Sequence, residues 1–296
     1  MIYFCADDYG ISQACNSRIE TCLREGVLNK ISVLPNGDIA DFKQRLSGAK
    51  LSLHINLVEG YPLSAPETVD LLASPQGGFR SSFIGLFLLT FSCKRKRLEA
   101  QLYRELREQL LFWKENMGQP VCIDSHQHTH MIPLVFKTLL RVIRDENIQV
   151  ESLRIPAEPL WPYLCTPALY TAYSIKGLIK QWLLKCLAIV NSRQLRRSRL
   201  PYACFMGVLF SGHLTEERIQ KLLPRYRKYA QKRGKDIEIA LHPGYLEPGE
   251  RLIDGCRTSF EAFYFSPWRK KEYDTLMNFH DEINMTKEGM ERELLH

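Results

Sequence analysis

Residues 2–16 read IYFCADDYGISQACN, an apolar run closed by two adjacent aspartates and a turn. Ile2, Tyr3, Phe4, Cys5 and Ala6 have the composition of a short buried strand, since β-branched and aromatic residues continue without polar interruption. Asp7 and Asp8 therefore stand at its C-terminal end. Tyr9 and Gly10 make a turn, and Ser12 is placed to cap a helix whose Ile11, Cys15, Ile19, Cys22 and Leu23 recur near 3.6 spacing. An acidic strand-to-helix loop is the plain reading of this stretch. Two ionised carboxylates side by side repel, however, and a cation or a shared proton would compensate them.

Working outward, the same grammar recurs. LSLHINL, Leu51 to Leu57, carries His54 within or just after a strand, and VCIDSHQHTH, Val121 to His130, runs from an apolar strand into Asp124, His126, His128 and His130. DIEIALHPGY, Asp236 to Tyr245, alternates Ile237, Ile239 and Leu241 before His242. SLRIPAEP, Ser152 to Pro159, sets Arg154 and Glu158 around another short strand. Helical spacing separates these segments, at Lys96 to Met117, Leu134 to Ile143 and Glu216 to Tyr229. Strand and helix alternating along the chain predict an α/β fold of parallel strands, either a (β/α) barrel or an open doubly wound sheet. Both architectures bind ligands at the C-terminal strand ends, where these polar residues fall. A single domain over 1–296 is expected, with irregular insertions near 60–92 and 160–200.

Composition narrows the function classes. The 296 residues are 45% apolar and 25% charged, ordinary values for a globular protein with a well-filled core. A net charge of +7 suits anionic partners, but no zinc-finger spacing or RNA-binding aromatic motif accompanies it, so nucleic acid is not expected. The nine cysteines form no C-x-x-C pair and read as small core residues of a reducing compartment. A first strand at Met1 or Ile2 leaves no room for a signal peptide, so a cytoplasmic protein is expected.

His126, His128 and His130 alternate, so in an extended strand they would share a face with Asp124. Three histidines in five residues beside an aspartate favour a site over isolated structural histidines. Imidazole and carboxylate without a thiolate motif suit one divalent ion: magnesium or zinc first, manganese or cobalt as alternatives.

ADDYG, LHINL, DSHQHTH and ALHPGY, in this order and at these separations, resemble the YdjC-like carbohydrate deacetylase family, which includes chitooligosaccharide deacetylases and hopanoid-associated relatives. The likeness spans almost the whole chain, with weaker echoes at Glu105 and Gln109, at LRIPAE, and at FMGVLFSGHLTEE from Phe205 to Glu217. The resemblance implies a distorted (β/α) barrel that hydrolyses the N-acetyl group of a sugar with one divalent metal. It implies Asp8, His54 and His126 as metal ligands. Asp7 follows as general base, by similarity to carbohydrate deacetylases that divide labour between neighbouring aspartates, and His242 is the candidate general acid.

Such roles suit the chemistry. A metal with open positions activates water and polarises the acetyl carbonyl, while a base and an acid move the two protons. Asp124 would accept a hydrogen bond from a ligand histidine or coordinate directly. His128 reads as a support of the ligands or a substrate contact, and His130 as structural. Arg154 reads as a substrate contact or as the partner of Glu158. Tyr9 and Asn56 are candidates to line the sugar site. Two competing functions are hydrolysis of another bond, such as a phosphoester, and carbohydrate binding without catalysis.

The segment from Tyr170 to Leu200 joins apolar residues to seven lysines and arginines with no acidic residue. It reads either as an ordinary barrel helix or as an interfacial helix on anionic lipid, which would place the protein peripherally on the inner membrane face and admit a glycolipid substrate. FIGLFLLTFSCKRKR, Phe83 to Arg97, would then be a second contact. A homodimer is a further candidate state.

Overall fold

A computed structural model describes residues 1–279. Seven strands alternate with helices: β1 (Ile2–Tyr9), α1 (Gln13–Glu25), β2 (Lys30–Val33), α2 (Phe42–Arg45), β3 (Lys50–Ile55), α3 (Phe83–Leu89), α4 (Arg95–Met117), β4 (Val121–Ser125) and α5 (Pro133–Asp145). The second half continues with β5 (Val150–Leu153), α6 (Leu160–Leu164), α7 (Ile175–Ser198), β6 (Cys204–Met206), α8 (Glu216–Gln231), β7 (Ile237–Leu241), α9 (Thr258–Tyr264) and α10 (Pro267–Asn278). All pairings are parallel, in the order β5-β4-β3-β2-β1-β7-β6. The sheet curls into a distorted (β/α) barrel, as expected.

The curl brings the two edge strands towards each other. Leu153 N, at the end of β5, donates to the carbonyl of Pro201 just before β6 (2.9 Å). Arg154, the next residue, reaches across the interior to Glu238 of β7 (2.6 Å). The fold thus gathers strand ends that an open sheet would keep apart.

Helices pack by their apolar stripes. Leu98, Leu102, Leu106, Leu110 and Trp113 line the buried face of α4, and Leu134, Val135, Leu139 and Val142 that of α5. Each buried leucine contributes about 1.5–3 kcal/mol of transfer free energy, so the stripe, rather than helix propensity, holds each helix in place. Pro133 opens α5 at a position where its missing N–H costs nothing. Ser12 does occupy the cap position of α1, but its hydroxyl donates to the carbonyl of Arg251 (2.9 Å) instead of capping the helix.

None of the nine cysteines is in a disulfide. The irregular stretch near 60–92 contains a short 3-10 turn and α3, and that near 160–200 contains α6, a second 3-10 turn and α7. No helix among the described residues is long and apolar enough to cross a membrane.

Candidate active site at the strand ends

In a regular strand, neighbouring side chains point to opposite faces, so Asp7 and Asp8 would part company. They do not. Asp8 takes a left-handed backbone (φ 72°), and the register with β2 shifts between Ala6 and Tyr9. Aspartate tolerates that conformation better than most residues, and such a bulge re-aims a side chain. Both carboxylates consequently enter the buried strand-end cluster.

Asp8, His54 and His126 present their donor atoms within 4.8 Å of one another, on the ends of β1 and β3 and just beyond β4. Asp8 Oδ1 lies 2.8 Å from His126 Nδ1 and 3.5 Å from His54 Nε2. The other carboxylate oxygen of Asp8 accepts from the Tyr264 hydroxyl (2.8 Å) and from Arg269 (3.3 Å). His126 Nε2 is buried without a hydrogen-bond partner. A buried imidazole nitrogen left unpaired, beside a second imidazole and a carboxylate, is a donor set that fits a divalent ion.

Beyond His54 stands Asp124. Its carboxylate lies 2.5 Å from His54 Nδ1 and accepts from Ser32 (2.7 Å) and Ser52 (2.8 Å). Parallel pairing of β3 with β4 puts His54 directly beside Asp124, so sheet register alone creates this contact. The contact leaves His54 Nε2 turned to Asp8 and fixes which nitrogen is available to an ion. Burial opposes a charged imidazole at His54, yet Asp124, Asp8 and Asp7 together push its pKa up to about 10. Burial likewise opposes ionisation of Asp8, but His126, His54 and Arg269 hold it well below the usual carboxylate range.

Arg154 is neither the partner of Glu158 nor open to a substrate. Its guanidinium is buried and makes a fork to Asp7 (2.7 and 2.9 Å), with Asp124 at 3.1 Å and Glu238 at 2.6 Å. Glu238 also pairs with buried Lys30 (2.9 Å). Against the cost of burial, Arg154 keeps the Asp7 carboxyl below its ordinary pKa. Glu158 accepts instead from the backbone N–H groups of Gly207, Val208 and Leu209 and from the Tyr163 hydroxyl. The reason is geometric: β5 ends at Leu153, and Arg154 turns inward across the barrel while Glu158 lies beyond it.

The histidine triplet is not an extended strand. β4 stops at Ser125, and residues His126–Met131 form a kinked 3-10 segment in which Gln127 (φ 51°) and His128 (φ 57°) are left-handed. The three rings therefore diverge. His130 lies 2.5 Å from Ser125 Oγ through Nδ1 and 2.8 Å from the Arg154 carbonyl through Nε2, which ties β4 to β5, and burial lowers its pKa to about 4. His128 packs edge-on to Phe205 (5.8 Å), and burial holds it neutral.

His242 follows β7 and is partly open, its backbone N–H donating to Glu272 (2.6 Å) and its Nδ1 standing 3.5 Å from the same carboxylate. Tyr9 does not line the cluster: its phenol donates to Glu20 of α1 (2.7 Å). Asn56 is spent on its own loop, donating to the Glu59 carbonyl (2.7 Å) and to Asn36 (3.1 Å) while accepting from Val58 and Glu59. Gln109 holds the backbone of Asn56 on both sides, and Glu105 accepts from Leu63 and Ser64, so the α4 pair fixes the loop that follows His54.

Sequence reading missed Tyr264 and Arg269, which close over Asp8, and Phe260, whose ring meets that of His126 edge-on at 5.0 Å. They come from α9 and α10, where no apolar strand announces a polar end. Two further buried groups, Cys5 with Asp124 and Glu238, and Asp7 with His54 and Asp124, surround the same centre, and Arg154 contacts all of them except His54.

A crystal structure from Enterococcus faecalis V583, provisionally described as a cellobiose-phosphate cleavage protein, superposes with a TM-score of 0.61 at 16% identity over 94% of this chain and 90% of that one. It shows the same fold. An uncharacterized protein from Agrobacterium tumefaciens C58 aligns at a TM-score of 0.40 and 13% identity over 81% of this chain and 76% of that one, too loose a likeness to bear on the architecture. A family model described as YdjC-like protein matches residues 1–280, and with the barrel and the strand-end cluster in place the chain belongs to the YdjC-like family.

Proposed function

We propose that this chain is a metal-dependent hydrolase that removes the acetyl group from an N-acetylated sugar. Membership of the YdjC-like family points to carbohydrate processing. The observation that carries the finer reading is the meeting of Asp8, His54 and His126 within 4.8 Å, with Asp7 one residue away on the same bulge. A divalent ion held there would supply Lewis-acid activation of water and of the acetyl carbonyl. Two imidazoles against one carboxylate favour a transition ion such as zinc or cobalt over magnesium.

Amide hydrolysis needs one proton removed from water and one delivered to the leaving nitrogen. Arg154 keeps Asp7 ionised, so this carboxylate is ready to accept the first. His242 is suited to deliver the second: it follows a different strand, is partly open, and has its Nδ1 turned to the Glu272 carboxylate (3.5 Å). Glu272 holds its backbone, and Asp124 holds His54 in orientation.

A phosphoester substrate fits less well. Arg154 and Arg269, the guanidiniums that touch the cluster, are committed to Asp7, Asp124, Glu238 and Asp8, and buried carboxylates repel a phosphate. Pure binding would need neither an ionised base nor an unpartnered imidazole. The test is acetate release from a panel of N-acetylated sugars. Activity abolished by chelator and restored by zinc or cobalt is expected; release that is indifferent to chelator would overturn the metal-dependent reading.

A further inference from the structure

Helix α7 is apolar on both of its sides. Leu184 and Leu187 face inward with Gln181 and Asn191. On the opposite side Ile175, Leu178, Ile179, Trp182 and Ile189 recur at helical spacing and remain in solvent, Ile175 at 77% and Trp182 at 70% exposure. Helix α3 repeats the feature, with Ile84 and Leu88 exposed and Phe91 just beyond its end at 70% exposure. Large apolar side chains in such number, on two neighbouring helices, mark a surface that meets something.

The two helices share a cleft of about 510 Å³, into which Phe83 and Ile84 of α3 and Ile179 and Leu183 of α7 project. Phe260 forms part of the same wall, and its ring is the one that packs on His126. The inner wall of the cleft, Gln127 and Phe260, thus abuts His126 of the candidate ion site. Lys176 is exposed at its edge, and half-buried Lys180 forms part of its wall with Nζ donating to Ser211 (3.1 Å). No Asp or Glu occurs in α7 or between Phe83 and Arg97, whereas Lys185, Arg193, Arg196 and Arg197 of α7 and Lys94 to Arg97 after α3 are all basic.

We propose that α3 and α7 seat this face on an anionic lipid bilayer, and that the cleft takes the aliphatic chain of an N-acetylated glycolipid whose sugar lies at Asp8, His54 and His126. The substrate part rests on the deacetylase reading above; the membrane part stands without it. Charge selects the occupant. A second copy of the chain meeting this face symmetrically would set lysine and arginine against lysine and arginine, while anionic headgroups neutralise both rows and Trp182 suits the bilayer interface.

The test is co-sedimentation of the full chain with phosphatidylglycerol and phosphatidylcholine vesicles. Binding to phosphatidylglycerol at least about tenfold stronger than to phosphatidylcholine is expected, weakening as salt rises. Trp182→Glu should cut it by roughly tenfold or more, the scale of withdrawing one large apolar side chain from lipid. Lys176→Gln/Arg193→Gln, at two exposed positions, should lower it as well and covers the case of a misfolded Trp182 variant. No binding, or equal binding to both vesicles, overturns the proposal; so does a dimer, seen by light scattering, that Trp182→Glu splits.

In the second arm acetate release is compared between free N-acetylglucosamine and its dodecyl glycoside in phosphatidylglycerol vesicles. A kcat/KM at least about tenfold higher for the glycoside, abolished by Trp182→Glu while the free sugar is turned over as before, supports the cleft assignment. Equal rates overturn it. Vesicle binding with neither sugar hydrolysed would support the membrane face and overturn the deacetylase reading.

Discussion

Arg154→Met is the substitution that most directly probes how the cluster is held together. The guanidinium contacts Asp7 at 2.7 and 2.9 Å, Asp124 at 3.1 Å and Glu238 at 2.6 Å, and all four side chains are buried. Methionine fills much of the volume but leaves carboxylates in a poor dielectric, and removing one partner of a buried ion pair typically costs about 3–5 kcal/mol. Lys30 still answers Glu238, so the loss falls on Asp7 and Asp124. With a urea slope near the upper end of ~1–3 kcal/mol/M for a chain of this size, the midpoint should fall by roughly 1–2 M at pH 7. The sign with pH follows from the carboxyl shifts. In the native protein Asp7 and Asp124 are depressed below the ordinary value of 3.8, so their contribution is present above that value and is lost only at lower pH. Without Arg154, burial raises the same carboxyls, and protonation relieves the variant as pH falls. The deficit should accordingly shrink from pH 8 to pH 5. A midpoint within ~0.3 M of wild type, or a deficit constant with pH, would show that Arg154 does not carry the cluster.

Three further outcomes follow from the same geometry. His54→Ala and His126→Ala should each lose tight zinc binding while keeping the wild-type circular dichroism spectrum; full zinc occupancy by elemental analysis in either would remove that residue from the ion site. Asp7→Asn should retain the ion and lose about 10²- to 10⁴-fold in acetate release, because the amide cannot accept a proton. Near-normal turnover in Asp7→Asn would transfer the base to another group, Asp124 being next in reach.

Much of the fold was legible because its signal is local. Strands β1, β3, β4 and β7 each show an apolar run that ends in a polar residue, and the alternation with amphipathic helices points to parallel pairing. Strand β2, with four residues, and β6, with three, are too short for periodicity to speak. The histidine triplet misled for the complementary reason. A period of two holds only while the strand continues, and β4 ends at Ser125, before the first histidine.

The site divides along the same line. Asp7, Asp8, His54, Asp124 and His126 are legible because strand ends in a parallel barrel converge by topology, whatever their separation in sequence. For Arg154 the sequence offers a substrate or the nearby Glu158 as partner, yet a buried guanidinium goes where charge is uncompensated, and the barrel interior holds Asp7, Asp124 and Glu238. Tyr264 and Arg269 meet Asp8 across 256 and 261 residues of chain, from helices with no strand to point them inward. The bulge at Asp8 is the step that no pattern in the sequence reveals. It converts two neighbouring aspartates, which a flat strand would send to opposite faces, into two groups with separate partners. Asp7 is committed to Arg154, and Asp8 is turned to His54 and His126. The proposed division of labour between these adjacent carboxylates would thus follow from one left-handed residue.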